Sequence, residues 1–291
     1  MKTSNIYQII TDLRQEGHSV ASLCRLMEVS QSGYFESLHR PPSQREQRRA
    51  ALTQKLIQVF DEHKNRYGRP RIYQQLKAQG EEISEKMVGS IIRAEGLKTR
   101  KKRPFRPQTT QPGKSPRYAP NLLKNYSSMT SPNMVLVSDI TYLASREGWL
   151  YLAGIMDLKT KVIKGYRLEE NMPTSLVTGA LDQALKSDPQ MKGAILHSDR
   201  GCQYTSHNSL QKLKDNDLKA SMSGKGKCYE NAAMESFWST LKTECFPESG
   251  VFETKEAARQ VIFEYLEGYY HTVRIHSSLN YLTPLAAELA A

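Results

Sequence analysis

Three carboxylates in this chain stand where carboxylates are costly. Asp139 interrupts an apolar, β-prone run, Val135-Leu136-Val137-Ser138-Asp139-Ile140, where an acid needs solvent, a partner or a cation. Asp199 directly follows a second such run, Ile195-Leu196-His197-Ser198, at the strand-to-loop edge where open α/β sheets carry functional groups. Glu235 lies in Asn231-Ala232-Ala233-Met234-Glu235-Ser236-Phe237-Trp238, a predicted helix rich in packing residues. Brought together, the three would make an all-oxygen site suited to hard cations such as Mg²⁺ or Mn²⁺. Two ions in such a site can activate a water or a 3′-hydroxyl and stabilise the leaving oxygen of a phosphodiester, with no nucleophilic side chain. Lys242 follows Glu235 by seven positions, two helical turns along the same face, where it could meet a phosphate. Residue types alone do not choose between this site and ordinary helix caps or surface acids.

The elements that must position these groups follow from periodicity. Residues 134–142, 149–158 and 162–168 read as consecutive strands joined hairpin-fashion. A helix is predicted over 174–186, a short apolar strand at 194–196, a polar helix around 206–216 and a short segment at 219–222, with helices dominating after Asn231. Such an order implies an α/β sheet with helices on its faces. Asp157, at the end of the second strand, reads as structural, and Tyr265, Tyr269 and Tyr270 as packing for a terminal helix.

The N-terminal part is helical by the same reasoning. Ile6, Ile9, Ile10 and Leu13, then Val20, Leu23, Leu26 and Met27, recur at helical spacing, and Ser30 can cap a further helix, so residues 1–44 read as a small helix-turn-helix module. After Pro41-Pro42 a charged spacer helix is predicted from about Arg45 to Lys64. A second helix-turn-helix then starts near Pro70, turns at Gly80 and restarts at Ser84, closing a 45–97 module. Its exposed face offers Arg69, Arg71, Lys86 and Arg93 to phosphates or base edges. Residues 98–125 read as a basic, Pro-rich linker whose Arg100, Lys101, Lys102, Arg103 and Arg106 could track a DNA backbone.

Charge supports that division. Residues 1–120 hold 23 Lys and Arg against 11 Asp and Glu, whereas residues 121–291 hold 18 against 19. A basic module joined to a neutral one suggests nucleic-acid docking coupled to another task. With 38% hydrophobic and 24% charged residues and no run of about 18 apolar residues, the composition fits a globular protein with no membrane partner, expected in the cytoplasm and on the nucleoid. Cys24, Cys202, Cys228 and Cys245 are dispersed, which argues against disulfides and structural zinc.

Residues 126–285 resemble the catalytic core of bacterial insertion-sequence transposases within the retroviral-integrase superfamily. The strings that carry the likeness are Ser138-Asp139-Ile140-Thr141-Tyr142, Trp149-Leu150-Tyr151-Leu152, His197-Ser198-Asp199-Arg200-Gly201, Asn231-Ala232, Glu235-Ser236-Phe237 and Leu241-Lys242-Thr243-Glu244. Arg274, His276-Ser277-Ser278-Leu279 and Tyr281-Leu282-Thr283-Pro284 extend it, and residues 66–97 resemble the helix-turn-helix that precedes this core in the integrase-like B protein of such elements. Leu136, Cys202, Glu230 and His271 depart from the usual residues without removing a carboxylate of the set. Glu230 could rival Glu235, but five residues turn it about 140° around an ideal helix, away from the same site.

The resemblance implies an RNase-H-like core over 126–291, a mixed sheet flanked by helices and preceded by the all-α modules. It makes Asp139, Asp199 and Glu235 the catalytic, metal-binding triad, with two Mg²⁺ ions per site and Mn²⁺ as an alternative. It implies cleavage at element ends to expose 3′-hydroxyls, which then attack target DNA. Lys242, Arg274 and His276 are read with it as DNA contacts. The implied partners are double-stranded element-end and target DNA, further copies of the chain in a DNA complex, and an upstream A protein or an A–B fusion.

Overall fold

The computed structural model describes residues 3–100, 117–123, 131–189, 191–224 and 231–291. The chain divides into two compact units, Met1–Glu62 and His63–Ala291. Among the described residues no helix is long and apolar enough to cross a membrane.

In the first unit α1 (Thr3–Gln15), α2 (Val20–Leu26) and α3 (Gln31–His39) gather Ile10, Leu23, Cys24 and Tyr34 into a small core. Ser30 caps α3 by accepting from the Gly33 N–H at 2.9 Å. The longer α4 (Gln44–Glu62) places Leu52, Leu56, Val59 and Phe60 on one apolar stripe, as its helical spacing requires.

The second unit begins with α5 (Arg69–Ala78) and α6 (Glu85–Ala94). Pro70 sits in the first turn of α5, and Ser84 accepts from the Met87 N–H to cap α6. The sheet follows: β1 (Val135–Ser145), β2 (Gly148–Asp157), β3 (Ile163–Glu169), β4 (Ile195–Ser198) and β5 (Lys219–Met222), in spatial order β3-β2-β1-β4-β5. The first three strands pair antiparallel, while β4 pairs parallel with both β1 and β5. The crossovers that parallel pairing demands contain α7 (Thr174–Ser187) and α8 (His207–Asp215).

One sheet face buries Leu136, Ala153, Ile155 and Leu196 with Leu176, Ala180 and Leu181 of α7 and Leu213 of α8. Gly165 of β3 permits this close approach, since a Cβ there would stand 2.6 Å from the Ala184 nitrogen. The chain then forms α9 (Ala232–Cys245), α10 (Lys255–Tyr265), a π-helical turn over Leu266–Tyr270, a 3₁₀ turn over Ser277–Leu279 and α11 (Pro284–Leu289). Tyr265, Tyr269 and Tyr270 are buried. Asp157 caps a loop by accepting from the N–H groups of Asn133, Lys159 and Thr160, a structural role.

The seam between the units lies before the second helix-turn-helix, whereas the sequence pattern joins that motif to the spacer helix. Specific bonds explain the difference. The Tyr67 hydroxyl donates to the Val273 carbonyl and accepts from the Ile275 N–H, and Arg71 Nε donates to the Ile275 carbonyl. The His63 ring stacks on Tyr67 at 3.7 Å and its Nδ1 lies 3.2 Å from the Tyr269 hydroxyl. Beneath them Glu244 receives Arg274 bidentately, at 2.9 Å to Nε and 2.8 Å to Nη2, and the Tyr265 hydroxyl at 2.8 Å. Both charged side chains are almost fully enclosed, at 3% and 6% exposure.

Removing one member of such a pair strands the other charge in a low dielectric. Glu244→Gln is therefore expected to destabilise the protein by about 3 kcal/mol in urea unfolding; a wild-type midpoint would contradict this role.

Candidate active site

Strand register sets the first two acids side by side. Val137 of β1 pairs with His197 of β4 in parallel, and Asp139 and Asp199 each stand two residues further on. Since alternate residues share a face, both follow their paired residue on the sheet face opposite the α7 core, and adjacent strands are only about 4.8 Å apart. The Gly201 N–H donates to Asp199 Oδ1 at 2.9 Å, folding the loop after β4 back onto its carboxylate. Desolvation, then the charge of Asp199, with a smaller contribution from Glu235, pushes Asp139 up to about 7. Two N–H donors, the Ile140 backbone and the Trp238 indole, pull the other way.

Glu235 comes from the first turn of α9, where an acid also suits the helix dipole. Its side chain is exposed. Asn231, immediately before α9, does not cap the helix; its amide instead donates to the Ser138 carbonyl at 3.1 Å. Trp238, one turn after Glu235, donates to Asp139 Oδ2 at 3.1 Å. Lys242 lies a further turn along the stripe, where desolvation, opposed by the charge of Asp139, holds its ammonium down at about 8. Among the described residues no three His, Cys, Asp or Glu side chains stand close enough to form a complete cation cage. The donor set nevertheless fits a hard cation: two neighbouring carboxylates whose repulsion a divalent ion would relieve, with a third on the helix across from them.

Side-chain hydrogen bonds brace β1 and β4 around the acids. The Ser138 and Tyr204 hydroxyls lie 2.9 Å apart, and burial, then Asp139, raises Tyr204 well above its ordinary value. His197 bridges the Ser221 and Ser223 hydroxyls at 2.9 Å each, so it serves the sheet. Arg200 donates to the Ser223 carbonyl and lies over the Tyr118 ring.

The residues expected to touch DNA separate into groups. Lys86 and Arg93 are exposed on α6, and Arg69 is exposed while paired with Glu85 at 2.8 Å. Arg100 is also exposed, but its guanidinium donates to the carbonyls of Lys64, Glu244 and Phe246. With Lys98 and Lys242 it lines a groove of about 480 Å³ that also touches Asn65, Phe246 and Glu248. Lys101, Lys102, Arg103, Arg106, Cys228 and Glu230 lie outside the described residues.

Two expectations need correction and one needs restating. Arg274 is not at a DNA surface, because its guanidinium is the buried partner of Glu244. Arg71 likewise turns inward, toward the Ile275 carbonyl and the Tyr67 ring, and stands 3.9 Å from Glu244. His276 is half-buried, within hydrogen-bond distance of Arg274 and edge-on to Tyr270. Burial first, then the charges of Arg274, Arg71 and Lys161, holds it at about 3, so it stays neutral near pH 7.

Sequence reasoning missed Trp238 and Gly154. Gly154 pairs with Asp139 across β1 and β2, and a Cβ on it would stand 2.8 Å from the Trp238 ring. The signals were present: a glycine inside an apolar strand marks a close approach, and a tryptophan three residues after Glu235 shares its helix face.

Comparison with known proteins places this geometry in context. Residues 129–228 and 216–284 each match an integrase core domain family, and residues 46–105 match an HTH-like domain family. A 31 kDa protein of insertion element IS600 from Shigella sonnei is 38% identical over 264 residues, covering 91% of this chain and 96% of that protein. Transposase InsF for insertion sequence IS3A from Escherichia coli K12 is 35% identical over 278 residues, covering 95% and 96%. Among solved structures, the HTLV-2 integrase catalytic core domain in complex with magnesium aligns with 54% of this chain and 97% of its own, at 13% identity and a TM-score of 0.38.

The low value of His276 makes a stability test. Between its ordinary 6.5 and about 3 the unfolded chain binds a proton that the folded chain refuses. The stability this histidine contributes is present above the unfolded value and is lost as pH falls toward the folded one. The melting temperature is expected to drop more steeply between about pH 7 and about pH 4 in wild type than in His276→Asn; parallel curves would contradict the assignment.

Proposed function

The chain belongs to the IS3 family of insertion-sequence transposases, polynucleotidyl transferases with an integrase core, and from that membership we propose that it cleaves the ends of its element and joins them to target DNA at Asp139, Asp199 and Glu235. The observation that carries this reading is geometric: the β1–β4 register sets Asp139 beside Asp199, and hydrogen bonds from Asn231 and Trp238 to β1 hold α9, which carries Glu235, against the same strand. Like charges gathered in a desolvated site are the arrangement expected of a cation site.

The residues divide the work. Asp139, from within β1, and Asp199, just past β4, would hold Mg²⁺, or Mn²⁺ in its place, and Glu235 would complete the set from α9. When bound, a pair of such ions lowers the pKa of an attacking water or hydroxyl and neutralises charge on the leaving oxygen. In the first reaction a water oxygen bonds to phosphorus, the P–O3′ bond breaks, and a 3′-hydroxyl and a 5′-phosphate result. In the second that 3′-hydroxyl attacks a target phosphodiester and displaces its 3′-oxygen. Lys242 stands on the Glu235 face to receive a phosphate and shares a groove with Lys98 and Arg100, while the exposed Arg69 of α5 and Lys86 and Arg93 of α6 suit phosphate contact. Lys101, Lys102, Arg103 and Arg106 extend the basic path in sequence. Two element ends must be joined to one target, which favours several copies of the chain on one DNA, with an upstream A protein or A–B fusion as a further component on the bacterial nucleoid.

The test is incubation with labelled duplex carrying the element's own terminal sequence, in Mg²⁺. Asp139→Asn, Asp199→Asn and Glu235→Gln are each expected to lower cleavage and joining by about a thousandfold or more while retaining DNA in a gel shift. Wild-type activity in any one of them would contradict its assignment.

A further inference from the structure

Helix α9 is registered against β1 by hydrogen bonds on both sides of Glu235. Four residues before it, Asn231 Nδ2 donates to the Ser138 carbonyl; three residues after it, Trp238 Nε1 donates to Asp139 Oδ2, each at 3.1 Å. Offsets of four and three place both donors on the face of the helix that carries Glu235. The two acceptors are adjacent on β1, so the same contacts that seat the helix also set the height of Glu235 over Asp139.

The indole has little freedom. Trp238 is 6% exposed, and its ring lies 4.8 Å from that of Phe237. On the β2 side it fits over Gly154, the residue opposite Asp139, at a distance that leaves no room for a Cβ. The strand therefore gives up a side chain where the ring needs space.

The chemistry of the donor is also specific. An indole N–H donates but cannot accept, so it can fix a carboxylate oxygen without competing as a ligand. It is uncharged, so it leaves the site its negative charge, which an Arg or Lys in the same place would cancel. A carboxylate repelled by a neighbouring acid would otherwise turn away from it, which is the wrong direction for sharing an ion.

We propose that Trp238 is a positioning residue, its indole N–H and the space above Gly154 holding the Asp139 carboxylate ready to share a hard divalent cation with Asp199. This rests on the reading of Asp139 as a cation ligand given above, and it makes Trp238 a built-in optical reporter of cation binding.

The chain has two tryptophans, so in a Trp149→Phe background Trp238 emits alone. Titrating that full-length protein with MnCl₂, and separately with MgCl₂, without DNA, is expected to give a saturable change in emission that Asp139→Asn removes. In otherwise wild-type protein, Trp238→Phe is expected to raise the Mg²⁺ concentration for half-maximal end cleavage about tenfold. The rate at saturating Mg²⁺ should change much less, which a general loss of folded protein would not produce. Should Trp238→Phe lose its cooperative thermal transition, Gly154→Ala, which displaces the ring and keeps the indole, is expected to show the same rise. Wild-type Mg²⁺ dependence in the folded variant, or an emission change that survives Asp139→Asn, would overturn the proposal. Failure of the parent reading is distinguishable, because it appears as wild-type protein whose cleavage is unaffected by the Asp139, Asp199 and Glu235 substitutions.

Discussion

Repulsion between carboxylates in a desolvated site is the constraint on which the rest of this structure depends. Asp139, within β1, and Asp199, just past the end of β4, stand near each other because the two strands pair in parallel through Val137 and His197. Burial first, and then that proximity, opposes ionisation of Asp139, which is pushed up to about 7. A fold holds such a pair only if the strands cannot shear apart. The α7 core on one face, the bridging of β4 to β5 through His197 and Ser221, and the Ser138–Tyr204 contact all resist that motion.

The helix carrying the third acid is pinned at both ends. At its start Asn231 and Trp238 bind β1. At its end Glu244 is clasped by Arg274 and Tyr265, and the Glu244 carbonyl accepts from Arg66 and Arg100. The second clasp reaches further, since Arg71 and Tyr67 tie the start of α5 to Val273 and Ile275. The helix-turn-helix of residues 69–94 is thereby part of the catalytic unit.

Strand patterning and the position of the acids were legible from local sequence. The acid at Asp139 breaks an apolar run within β1 and the one at Asp199 lies just past the run ending at Ser198, and the strands lie close to their expected bounds. β1 runs on to Ser145, beyond the predicted Tyr142, because its hairpin pairing with β2 continues to Gly148. The burial of Arg71 and Arg274 was not legible. Their partner Glu244 lies 30 residues from Arg274 and far from Arg71 in the chain, and an arginine in a basic, DNA-directed sequence carries no local mark of a buried ion pair. For the same reason the boundary between units, which depends on Tyr67 meeting Val273 and Ile275, could not be read from the composition of residues 45–97.

The most direct measurement of the central claim is anomalous diffraction from crystals of the protein soaked in MnCl₂. A manganese peak is expected within coordinating distance of carboxylate oxygens from both Asp139 and Asp199, about 2.0–2.4 Å away. Crystals that take up manganese elsewhere and leave those two carboxylates without a peak between them would contradict the account.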